Sequence, residues 1–286
     1  MRRIVSRLLT EAGSASRGRH DVAFLSRARQ QAAFEPLLAA AMFLWPLALR
    51  AQPQAPVATF SILGFDPATG EVGGAVQSRV FSVGNGVLWA EADVGVVATQ
   101  AIVDVSYGSQ ALALLKKGVA PADIIRQIWE ADSDPRSQNW SKQGRQFAVM
   151  NAKGEAAAFT GPKASAWAGH KLGRYCTAQG NILAGEDVVN RMVEAFEKIE
   201  GHLSLRLLAA LEQGQAAGGD KRGMQSAAML IVKKDGGVWL HNDVVLRLQV
   251  DDSPEPIREL RRLVERAAEQ RGRMRRGTVP GKKQGD

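Results

Sequence analysis

The chain is short of the residues that most often announce a chemistry. It holds one cysteine, Cys176, in 286 residues, which excludes an internal disulfide framework and a thiolate metal cluster. Of its four histidines, His170, His202 and His241 lie in the body, and their spacing fits neither a catalytic triad nor a metal site. No GxxxxGK[ST] phosphate loop is present. The apolar run at 36–49 falls short of the roughly 20 residues that span a bilayer, and Pro46 interrupts it. Internal repeats and interdomain linkers are absent as well.

What remains is globular composition, with 45% hydrophobic and 23% charged residues, enough to close a core without metals or cross-links. The formal net charge of +8 is unevenly placed. Residues 1–51 carry +5 and residues 267–286 carry +4, which leaves −1 for the body. A polyanion-binding groove therefore has no compositional support there, and no nucleic-acid partner is expected. The basic end at 267–286 reads as a solvated, disordered tail.

The stretch FEPLLAAAMFLWPLALRAQPQAP from Phe34 follows a basic, Ser-rich region and resembles a secretory signal. Cleavage after Ala51 places Leu49 at the minus-three position, and Met42 is an alternative start. The expected division is a basic leader and signal peptide at 1–51, a short linker or propeptide at 52–58, one domain at 59–266 and the tail. A periplasmic or secreted location follows, with no stable membrane span after signal removal. A membrane-anchored leader is the alternative.

Hydrophobic alternation predicts strands at 57–65, 72–78, 87–92 and 94–99, an antiparallel four-strand opening in which Asp66, Pro67 and Gly70 supply a turn. Helical spacing marks 107–117 and 121–131, with Pro121 at the start of the second. A hairpin is expected over 145–151 and 155–160, an irregular Gly-rich section over 161–185, and helices over 186–198 and 203–213. A glycine-rich loop at 214–223, strands at 227–233 and 244–250 and a charged helix at 254–266 complete the order. Consecutive strands with paired helices predict an α+β fold, a four-layer αββα sandwich of two antiparallel sheets between helix layers.

Several blocks together resemble the domain-of-unknown-function family 1028. They are Thr59-Phe60-Ser61-Ile62, the segment GFDPATGEVGGAVQSR, Val97-Ala98-Thr99-Gln100, Trp167-Ala168-Gly169-His170, the run from Gln179 to Gly185 and the run from Gly214 to Gly223. The resemblance covers about 59–263. It implies the αββα fold of the N-terminal-nucleophile (Ntn) hydrolases and, by superfamily analogy, hydrolysis of a small amide or peptide bond without a cofactor or metal. Two positions depart from the family pattern. Residues 160–166 carry no cysteine where relatives often do, and Ser253 follows Asp251-Asp252 where relatives often have histidine.

The chemistry can be stated from the residues. A threonine at a free amino terminus supplies a hydroxyl nucleophile and an α-amine of reference pKa about 8 that serves as its base, so no histidine is needed. Thr59 is the candidate, provided that residues 52–58 are removed, and Ser61 on the same strand face is the fallback. The ordinary alternative for Thr59 is a β-branched residue opening a strand. Asn181 is a candidate oxyanion donor or a turn residue. Asp220, with Lys221 and Arg222, sits in the glycine-rich loop and either lines the site or forms a structural ion-paired turn. Gln100, next to Thr99, and Arg79 are further candidates for substrate contact, and Ser226 borders the loop. Trp167 and His170 read as packing and a loop hydrogen bond, with a pocket wall as the alternative, Cys176 as a packed small residue, and Asp243, Asp251 and Asp252 as a strand end and helix N-cap rather than a metal cluster. A homo-oligomer is compatible with this fold. The competing class is a non-catalytic envelope protein that binds a ligand through the glycine-rich loop, and a nucleic-acid binder acting through the basic ends is a third possibility.

Overall fold

The computed structural model describes residues 59–275. The leader, the 52–58 segment and the end of the basic tail lie outside the described residues. The chain opens with the hairpin β1 (Thr59–Asp66) and β2 (Glu71–Ser78), followed by a short helix, α1 (Gly84–Val87), and a second hairpin, β3 (Leu88–Glu91) and β4 (Gly95–Ala101). The turn of the first hairpin is tied by Asp66, whose carboxylate accepts from Ala68 N at 3.1 Å and Thr69 Oγ1 at 2.8 Å. Two helices follow, α2 (Ser106–Lys116) and α3 (Pro121–Ala131), then β5 (Arg145–Asn151), β6 (Ala156–Thr160), β7 (Gly169–Gly173) and β8 (Cys176–Asn181). A second helix pair, α4 (Asp187–Lys198) and α5 (Leu203–Ala216), leads to β9 (Ser226–Val232), β10 (Val244–Val250) and α6 (Pro256–Arg275).

The strands form two antiparallel sheets, one ordered β10-β9-β2-β1-β8-β7 and the other β3-β4-β5-β6. Their apolar residues gather into three clusters. Phe60, Ile62 and Ala75 of the larger sheet pack with Met192, Phe196, Leu207 and Leu211 of α4 and α5 and with Leu260 and Val264 of α6. Leu63, Phe65 and Val76 of that sheet meet Val96, Ala98, Ala148 and Met150 of the smaller one. Val97, Phe147 and Val149 pack against Tyr107, Ala111, Ile124 and Ile128 of α2 and α3. Strand alternation explains the partition, since neighbours such as Ile62 and Leu63 point to opposite faces. Among the described residues, no helix is long and apolar enough to cross a membrane.

Four details differ from the sequence reading. The 161–185 section, expected to be irregular, contains β7 and β8. The segment CTAQGN of β8 is polar on the face it turns away from the helices, so it lacks the apolar run that marks a buried strand. The first four strands do not form one sheet but divide two and two, because β1 and β2 belong to the six-stranded sheet and β3 and β4 to the four-stranded one. Helix α1 interrupts the expected strand start at 87. Finally, α5 continues to Ala216 and α6 to Arg275, beyond the bounds at 213 and 266.

Close packing between β1 and the helices leaves no room at Gly64, where an added Cβ lies 2.5 Å from the Phe196 ring. Gly64→Ala is expected to destabilise the fold by about 1–3 kcal/mol. Urea unfolding checks this, and adding Phe196→Leu is expected to recover part of the loss.

Candidate functional site

The space between the sheets is apolar at one end and polar at the other. By alternation β1 presents Thr59, Ser61, Leu63 and Phe65 to the opposite sheet, and only the last two join the apolar cluster. Gln100 continues the inward row of Val96 and Ala98 on β4, and Gln146 continues that of Met150 and Ala148 on β5. From β8 come Gln179 and Asn181. All six polar residues are at most 1% exposed, so each donor and acceptor needs a protein partner.

Gln146 supplies most of the connections between the sheets. Its Nε2 donates to Gly180 O at 2.9 Å, Thr160 Oγ1 at 2.9 Å and Gly169 O at 3.0 Å. Its Oε1 accepts from Gln100 Nε2 at 2.8 Å and Asn181 Nδ2 at 3.3 Å. Those two amides also converge on Thr59 O, Gln100 at 3.4 Å and Asn181 at 3.5 Å. Ser61 Oγ donates to Gln100 Oε1 at 2.6 Å and accepts from Gln179 Nε2 at 2.6 Å. The Thr59 hydroxyl lies 3.1 Å from Ser78 Oγ. Its position is fixed by register, with Ser78 opposite on β2 and Asn181 opposite on β8.

Backbone strain marks the same end. Ala101 directly follows Gln100 at φ +66°, and Ile182 directly follows Asn181 at φ +55°. Left-handed backbone costs a side chain roughly 1–2 kcal/mol, and non-glycine residues held there cluster at functional sites. Asn181 itself is the last residue of β8, so the turn role falls to Ile182.

The glycine-rich loop is tied to the ends of the strands that flank Thr59. Gln225 N donates to Ser78 O at 3.0 Å, Lys221 N to Ile182 O at 3.1 Å, and Asp220 forms a bridge with Leu183. Asp220 is buried and accepts from Arg79 N at 3.2 Å, Arg222 N at 2.8 Å and Arg222 Nη2 at 3.0 Å. Arg79 Nη1 donates to Arg222 O at 2.5 Å. Asp220 and Arg222 thus form an ion-paired turn beside the site, and Thr59 is not among the partners of Asp220. Lys221 is exposed, and its backbone holds the loop in place. Ser226, opposite Ser78, donates to Val80 O at 2.5 Å and accepts from Val83 N at 3.1 Å.

The remaining candidates lie apart from Thr59. Thr99 faces the helix side and bonds Gly86 O at 2.7 Å. Trp167 O accepts from Leu183 N at 3.0 Å, and His170 Nδ1 lies 2.9 Å from Thr160 Oγ1. Asp243 pairs with Lys234 on the β9–β10 connection, whereas Asp251 bonds Ser82 and Gln249, and Asp252 bonds Gln225. Burial pushes the Cys176 thiol up to about 12. Among the described residues, no group of His, Cys, Asp and Glu could hold a metal ion.

Sequence reasoning singled out Thr59, Ser61, Gln100 and Asn181 but missed Gln146, Gln179 and Ser78. The available signal was a carboxamide at an inward alternating position in each strand, Gln100 in GVVATQA, Gln146 in RQFAVMN and Gln179 with Asn181 in CTAQGN.

Gln146→Leu strands the amides of Gln100 and Asn181 and is expected to destabilise the fold by about 1–3 kcal/mol in urea unfolding. Ala101→Gly relieves the left-handed strain. It is expected to match or exceed the parent stability by up to about 1 kcal/mol in the same assay.

Comparison with known families matches the chain over residues 59–260 to DUF1028, a family of unknown function. No curated protein matches it. Among solved structures, the crystal structure of a DUF1028 protein from Silicibacter pomeroyi is similar, with a TM-score of 0.66 and 33% identity over 74% of this chain and 86% of that one. With the family's shared region spanning both sheets and the buried polar end between them, the chain belongs to the DUF1028 family.

Proposed function

We propose that the chain is an exported hydrolase with the four-layer αββα architecture of the Ntn type, which cleaves a small amide or peptide bond through Thr59. The observation that carries this reading is the place of Thr59. It opens a central strand, its hydroxyl lies beside that of Ser78 while the carboxamides of Gln100 and Asn181 hold its carbonyl oxygen, and the region shared with the family starts at this residue. The three apolar clusters support the layering, one between the sheets and one beneath each helix pair.

In this mechanism, removal of the preceding segment frees the Thr59 nitrogen. The amine takes the Oγ1 proton, directly or through water, while Oγ1 bonds to the substrate carbonyl carbon. Carboxamide N–H groups of Asn181 and Gln100 would serve the developing oxyanion by giving up their bonds to Thr59 O or Gln146 Oε1. The carbon–nitrogen bond then breaks, the leaving amine takes the proton, and water hydrolyses the acyl ester. Arg79, Lys221 and Arg222 stand at the rim as cations for a substrate carboxylate, with Asp220 fixing the loop that carries them. Arg222 reaches substrate only by sharing or leaving its pair with Asp220.

One observation favours the non-catalytic alternative. Thr59 is fully buried, and the amides around it are bonded to one another, an arrangement that also suits a ligand-binding scaffold of the same fold.

Intact mass and amino-terminal sequencing of the exported protein decide between the two. A mature chain beginning at Thr59 is expected, and one beginning upstream removes the proposed base. Against a panel of small amides and peptides, Thr59→Ala is expected to abolish turnover, and Asn181→Ala to lower kcat about a hundredfold. Activity is expected to rise with pH through the amine titration, about 8 for an unperturbed α-amine, because only the unprotonated amine accepts the hydroxyl proton.

A further inference from the structure

The two sheets differ in width, and the difference falls beside β3. Strand β3 lies against β9, while β10 extends the six-stranded sheet by one further strand. Among the described residues β3 pairs only with β4, which leaves its other backbone edge without a strand partner there. Between that edge and β10 runs a cleft of about 350 Å³. Its two walls have different chemistry. Trp89 and Leu112 line it on the helix side, whereas Arg247 and Gln249 project from the inter-sheet face of β10. Gly84 closes one end, where a Cβ would lie 2.3 Å from Gln249 Oε1. Gln249 is engaged with Ser82, Asn85 and Asp251. Arg247 is exposed, and its side chain has no ion-pair or hydrogen-bond partner among the described residues.

We propose that this cleft binds an extended peptide segment, acidic on one face and apolar on the other, as an added strand on the β3 edge. The backbone of β3 offers unpaired N–H and C=O groups, the requirement for strand addition. A strand placed there turns alternate side chains toward β10 and toward Trp89, by the same alternation that separates Ala90 from Trp89. The residues over β10 meet the unpaired Arg247 guanidinium, which selects a carboxylate. Those on the other face meet Trp89 and Leu112, which select apolar groups. The site is separate from Thr59 and does not depend on hydrolysis there.

The probe is a capped synthetic peptide of about six residues alternating Val and Glu, compared with the same peptide carrying Lys for Glu. Each is titrated into the full chain and followed by fluorescence anisotropy and by backbone amide shifts in NMR. Binding of the Glu peptide is expected, with shifts concentrated on Leu88–Glu91 and Val244–Val250. The surface charge reversal Arg247→Glu is expected to weaken it about tenfold or more and to transfer the preference to the Lys peptide. Equal binding of the two peptides, unchanged affinity in Arg247→Glu, or shifts confined to other strands would overturn the proposal. So would failure to bind the Glu peptide, including the case in which sedimentation shows a second copy of the chain already seated on the β3 edge.

Discussion

The buried carboxamide of Gln146 is the interaction on which the polar half of the interior depends. A neutral amide removed from water stabilises only when both its donor and its acceptor are matched. Here one side chain reaches the backbone of β7 and β8, the hydroxyl of Thr160, and the amides of Gln100 and Asn181. Those contacts span both sheets, so slippage of any participating strand leaves donors unpaired in a place that water does not reach. A one-residue slip of β8 would also exchange Gln179 and Asn181 with Ala178 and Gly180. Register is therefore enforced at the polar end by hydrogen bonding and at the other end by the packing of Leu63, Val96 and Met150.

The division of the interior also accounts for what could be read from residues alone. Strands with a continuous apolar face, such as SAAMLIV of β9, and helices with a clear apolar stripe, such as α4, were legible with bounds shifted by a residue or two. Strand β8 was not, since its inward residues are Thr177, Gln179 and Asn181, which score as loop in any hydrophobicity pattern. The split of the first four strands into two sheets was equally hidden. Sequence adjacency favours pairing of consecutive strands, and nothing in the link between β2 and β3 announces that the chain passes from one sheet to the other there.

The site was legible in part for the same reason. Thr59, Ser61, Gln100 and Asn181 stood out through their blocks, but the residue that organises them lies in a strand, RQFAVMN, whose apolar middle reads as ordinary core. The loop residues Asp220 and Arg222 stand together in the sequence, which suits either lining the site or ion pairing. Their geometry joins the two ideas, because the pair shapes a turn whose backbone is bonded to both neighbours of the Thr59 strand. A charged residue can thus border a site while its charge is committed to holding the border.

Cys176 carries a consequence of its own. It is the sole thiol of the chain, and it is packed at 0% exposure under α4 with its thiolate disfavoured by burial. In an oxidising medium a correctly folded copy is inert, whereas a copy that opens around β8 presents a thiol able to couple to another such copy. Under oxidation such a thiol would distinguish opened chains, which could be trapped as covalent pairs, from intact ones in which it stays covered.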